Sequence, residues 1–68
     1  MSKNEGKTQG KNIVAIVTLD EKLVLPGSVP TFIAENKEIQ EKIAFELRKI
    51  FEGYTYGLVN GVIIVTTS

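Results

Sequence analysis

Hydrophobic positions along the chain follow two different periods, and the change from one to the other outlines the elements. Residues 12–19 (Asn-Ile-Val-Ala-Ile-Val-Thr-Leu) are rich in β-branched side chains and bounded by polar residues, which predicts a strand. Asp20-Glu21 turns the chain, residues 22–25 return as a short second strand, and Pro26-Gly27-Ser28 closes it with turn chemistry. Val29 precedes Pro30 and is pushed out of the helical region, so an extended connection leads into a brief third strand over residues 31–34. From residue 37 to 52 the period becomes helical. Ile39, Ile43, Leu47 and Ile50 share one face at 100° per residue, with Ala44 and Phe51 at its margin. Asn36 supplies an N-cap, Glu38 lies in the first turn, Arg48 and Lys49 lie near the last, and Gly53 fits the position after the helix. Glu38 and Lys42 are spaced for an i,i+4 pair. Residues 54–59 and 62–67 then flank Asn60-Gly61, a dipeptide suited to a type I′ hairpin turn.

The pattern predicts an α+β fold: a small β-β-(β)-α-β-β domain with one amphipathic helix packed on a mainly antiparallel sheet. One feature of its strands sets it apart. A sheet with one covered face should alternate apolar and polar residues. Here Ile13, Ala15, Val17 and Leu19 point one way while Val14 and Ile16, also apolar, point the other. The last strand repeats this, with Val62 and Ile64 opposed by Ile63 and Val65. One helix cannot cover both faces, and a chain of 68 residues has little else to cover the second. A second copy related by a two-fold axis is the simplest cover, so the expectation is a homodimer, the alternative being that both strands are central and loops of the same chain cover the far side.

Composition narrows the function classes. The chain has no Cys and no His, which removes disulfides, thiol chemistry, zinc clusters and imidazole acid–base catalysis. The longest apolar run, Ile13 to Val17, is far too short for a membrane helix, and the polar start lacks a secretory signal, so no membrane partner and a cytoplasmic location are expected. Eight basic and eight acidic residues cancel, but not evenly along the chain. Residues 1–11 form a polar arm carrying Lys3, Lys7 and Lys11 against Glu5, whereas the body, residues 12–68, is mildly acidic. A flexible solubilising tail is the simpler reading of the arm; contact with nucleic acid is the sharper one.

Candidate chemistry is sparse. Asp20-Glu21 is better read as a turn than as a cation site, and Glu35, Glu38 and Glu41 suit the positive end of a helix. No phosphate-binding or nucleophile motif occurs, and Thr66, Thr67 and Ser68 have no activating base nearby in the sequence. Gly57, inside a strand, marks a bulge or the close approach of another chain. Tyr54 and Tyr56 share a strand face and could stack bases, yet residues 53–68 contain no Lys or Arg, so packing against protein is favoured. Phe45 lies among charged residues of the helix, an arrangement resembling the core and rim of an interface. The expectation is therefore a non-enzymatic interaction module, regulatory or part of an assembly, without cofactor or metal. Its candidate contacts are Phe45, Tyr54, Tyr56, Val14, Ile16, Ile63 and Val65. The alternative is a small nucleic-acid-binding protein using the arm lysines and the tyrosines.

Overall fold

Four strands and one helix account for the domain in the computed structural model, which describes residues 12–25 and 27–67. The arm with Lys3, Lys7 and Lys11, and Pro26 of the expected turn, lie outside the described residues. Strand β1 (Ile13–Thr18) occupies the middle of the sheet, beside β2 (Thr31–Ile33) on one side and β4 (Ile63–Thr66) on the other. Strand β3 (Tyr54–Gly57) follows helix α1 (Lys37–Phe51) and forms the far edge, giving the order β2-β1-β4-β3. The β1–β4 and β3–β4 pairs are antiparallel and the β1–β2 pair is parallel. The fold is the expected α+β arrangement of one helix on a mainly antiparallel sheet.

The expected return strand over residues 22–25 is replaced by a 3-10 turn, Glu21–Leu23. Its cause is local. Asp20 accepts a hydrogen bond from the Lys22 amide through Oδ1 at 2.9 Å, and the Leu23 amide donates to the Asp20 carbonyl at 3.0 Å. Thr18 Oγ1 locks the same corner, accepting from the Asp20 amide and donating to the Asp20 carbonyl. These side-chain bonds compete successfully with a strand ladder. The chain then crosses to β2 and lies parallel to β1, a connection too long for a hairpin.

The helix begins as its sequence implies: Asn36 Oδ1 accepts from the Ile39 amide at 2.9 Å. It ends one residue earlier than a glycine stop would place it. Glu52, not Gly53, takes the left-handed conformation, at φ 53° and ψ 44°, and the Gly53 amide donates to the Arg48 carbonyl at 2.9 Å. Glycine is needed at 53 for another reason, since a Cβ there would overlap the Thr66 carbonyl oxygen of β4. Gly57, expected to mark a bulge or the close approach of another chain, lies in a regular register with β4 and faces open space within this chain.

The hairpin also differs in its turn. The Gly61 amide donates to the Leu58 carbonyl at 3.0 Å and the Leu58 amide to the Val62 carbonyl at 2.8 Å. Gly61 has φ +90°, while Asn60 stays out of the left-handed region. This is a three-residue loop built on an ordinary turn with glycine in the left-handed place, not a type I′ turn. Asn60 contributes through its side chain, whose Oδ1 accepts from the Val62 amide at 3.1 Å.

The core lies between α1 and the face of the sheet that carries Ala15, Val17 and Val65, with Ala44 of the helix against them. Val14, Ile43, Leu47 and Ile63 pack around that cluster half-buried. The buried stripe of the helix runs through Gln40, Ile43, Ala44 and Leu47, turned from the expected Ile39–Ile43–Leu47–Ile50 stripe so that Ile43 and Leu47 stay on the core while Ile39 and Ile50 stand outside it. Ile50 is 72% exposed. Small side chains explain the rotation: Ala44 above Ala15 lets the helix sit close to the sheet, and Gln40 finds two backbone partners there. Because Leu47 is half-buried, Leu47→Ala should lower the unfolding free energy by about 2 kcal/mol, the low end of core truncations. A change near zero in urea denaturation would show that the helix packs on another face.

Candidate functional site

Cross-strand pairing decides which side chains share a face, because residues directly opposite project together. Ala15 pairs with Val65 and Val17 with Ile63, so Ile63 and Val65 lie under the helix. Val65 is fully buried there, and two of the expected contact residues therefore belong to the core. Val14 sits at the register shift between Ile13 and Ala15 and also packs against the core cluster.

The opposite face is left to a different set. Ile16 pairs with Ile64, and Ile64 pairs in turn with Tyr56; Tyr54 pairs with Thr66. On the other flank, Ile16 pairs with Thr31 and Thr18 with Ile33. The result is an apolar band of Ile33, Ile16, Ile64 and Tyr56, with Tyr54 beside it. Ile33, Tyr54 and Tyr56 are about half exposed. At one end Thr18 and Val62 are buried. Thr66, opposite Tyr54 on this face, is buried as well, and Ile16 and Ile64 are half-buried. Of the candidate contact residues, Ile16, Tyr54 and Tyr56 are thus brought to this face. Ile64 and Ile33 join them, and no sequence signal separates Ile64 from its equally apolar neighbours Ile63 and Val65.

Phe45 occupies a separate place. It is 55% exposed on the flank of α1 above β3, where it lines a groove with Glu41, Ala44, Arg48, Thr55 and Gly57. The Lys49 ammonium lies 5.3 Å from its ring centroid and the Arg48 guanidinium 6.0 Å, distances at which cations favour an aromatic face. Tyr54 and Tyr56 stand on a strand that itself carries no Lys or Arg, although Arg48 and Lys49 of the helix end line a hollow with Tyr54.

Metal-ligating side chains form no group of three or more among the described residues. No three acidic side chains converge on a cation site there, and Asp20 is engaged in capping its turn. No helix among them is long and apolar enough to cross a membrane. What the surface offers is contact area, apolar on the sheet and mixed apolar and charged on the helix flank.

Comparison with curated proteins gave no match, and comparison with solved structures gave none either. A family model described as "Capping complex subunit for YIEGIA" matches residues 10–68. That match takes in the whole folded body and gives the chain a role in assembly with other proteins. The chain belongs to this family of capping complex subunits.

Proposed function

We propose that the chain is a non-enzymatic subunit that helps to cap YIEGIA, and that its open sheet face is the surface that docks within that complex. The observation that supports this reading is the apolar band of Ile16, Ile33, Ile64 and Tyr56 opposite the helix, on a domain whose family is that of capping complex subunits. Contiguous apolar surface of this kind needs a partner to remove it from water. Aromatic anchors beside aliphatic residues are also the usual composition of an interface centre.

The test is recovery of YIEGIA with the tagged chain from cells that produce both. Ile64→Lys places a charge at the centre of the band and should reduce recovery about tenfold or more. Ile33→Lys, at a position already 54% exposed, should act in the same direction with little change in the urea midpoint. Undiminished recovery with both variants would remove the sheet face from the reading.

A further inference from the structure

We propose that two copies of the chain join edge to edge through β3, in a two-fold pairing centred on Tyr56. This pairing uses the backbone edge of the sheet and shares only Tyr56 with the band on its open face.

The edge itself is the first reason. Strand β3 is Tyr-Thr-Tyr-Gly at the end of the sheet, with no charge and no proline. Natural edge strands are commonly guarded by lysine, proline or a bulge, and this one has none of these. The Leu58 amide donates across to Val62 of the neighbouring chain segment, and antiparallel strands alternate inward and outward groups. Tyr54, Tyr56 and Leu58 therefore direct their backbone groups toward β4, while Thr55 and Gly57 direct theirs away from the sheet. Two outward residues separated by one inward residue fit a second copy in one register. Thr55 meets Gly57 of the other copy, Gly57 meets its Thr55, and Tyr56 lies on the axis opposite its own counterpart. Gly57 has open space where a Cβ would stand, so the approaching threonine meets no obstruction.

The helix flank is the second reason. Glu41, Phe45 and Arg48 line the groove above β3, at i, i+4 and i+7. The helix and β3 run in opposite directions, joined through Glu52 and Gly53, and Arg48 shares a second hollow with Gly53 and Tyr54. Arg48 therefore lies toward the start of β3 and Glu41 toward its end. A two-fold axis at Tyr56 reverses this order in the second copy. It sets Glu41 of each chain against Arg48 of the other, with the two Phe45 rings between them. The stripe is self-complementary in charge only in this antiparallel sense.

The spacing is also compatible. The helix lies mainly over β4 and β1 and reaches β3 with its flank. Across the joined edges, the two β4 strands would be about 14 Å apart, three spacings of about 4.8 Å. Helices in direct contact lie at about 8–10 Å, so a gap remains that two phenylalanines and their charged neighbours can fill.

Mass and cross-linking test the pairing on the full chain. Light scattering across a wide concentration range should give twice the 7.5 kDa of one chain. Glu41→Arg and Arg48→Glu should each raise the dimer dissociation constant about tenfold, because each creates two like-charge contacts. Mixing the two variants in equal amounts should restore association, since both contacts become complementary again. The chain has no cysteine of its own, so Tyr56→Cys should form a disulfide-linked dimer under mild oxidation, much faster than Val59→Cys in the exposed turn. A 7.5 kDa mass at every concentration overturns the proposal. So does a dimer in which Tyr56→Cys links no faster than Val59→Cys, because the copies would then meet elsewhere.

Discussion

Gly53→Ala is expected to lower the unfolding free energy by about 3 kcal/mol, at the upper end of what an added methyl group costs in a packed site. The methyl would overlap a backbone carbonyl, that of Thr66, and no flexible side chain is available to move aside. Relief requires shifting β4 away from the helix end. β4 is an interior strand with β1 and β3 on its two sides, so a shift disturbs both ladders. For a domain of this size such a loss is a large share of total stability. Urea denaturation measures it directly, and Gly57→Ala is the matched comparison. Nothing lies within 4 Å of a Cβ at Gly57 and its φ is not positive. That substitution should be neutral or stabilising by a few tenths of a kcal/mol, because strand glycine carries an entropy cost that alanine avoids. Equal effects at the two glycines would show that the helix end and β4 are farther apart than the structure places them.

The same two glycines show where sequence reading reaches its limit. They lie four residues apart, each beside a tyrosine, and composition cannot say which meets another backbone. That depends on how the chain leaves the helix. Glu52 adopts the left-handed conformation, and the turn it makes carries Gly53 against Thr66. The helix start was legible because Asn36 caps it through a bond three residues long in sequence. The strands β1, β3 and β4 were legible because β-branched and aromatic runs select extended backbone before any partner is known. The corner at Asp20 was less so. Residues 22–25 are apolar enough for a strand, but the Thr18 and Asp20 side chains satisfy the local backbone first.

The interaction surface divides in the same manner. That β1 and β4 were apolar on both faces could be read directly, and it implied an outward apolar face. Assigning residues to that face required register. With four consecutive apolar residues from Val62 to Val65, a shift of one residue exchanges the buried and the open set. Ala15 opposite Val65 settles it and sends Ile64 outward. Phe45 needed less, because its charged neighbours on the helix already placed it away from the core. Its relation to the β3 edge emerged only from the fold, which brings Glu41, Phe45 and Arg48 beside Thr55 and Gly57.

Gln40→Glu should have the largest effect of any single substitution on the helix, a loss of about 3–5 kcal/mol at neutral pH. Gln40 is 2% exposed, and its Nε2 donates to the Val17 carbonyl at 2.9 Å and the Gly61 carbonyl at 2.7 Å. The two bonds tie the middle of the sheet and the hairpin loop to the first turns of the helix. A carboxylate of the same shape cannot donate, and it would place negative charge against two carbonyl oxygens away from water. Protonation restores one donor, so the buried carboxyl of this variant would hold its proton more tightly folded than unfolded. A folded-state pKa raised in this way gives stability at low pH that is lost as pH rises through it. The variant should therefore become more stable as pH falls from 7 toward the ordinary glutamate range, relative to the parent chain. Gln40→Leu separates the charge from the missing bonds: it removes both donors without adding charge, and should cost about 2 kcal/mol with no added pH dependence. Urea midpoints for the three proteins across that pH range decide the matter. A Gln40→Glu chain that matches Gln40→Leu at every pH would mean that water reaches the site and that the helix is not clamped there.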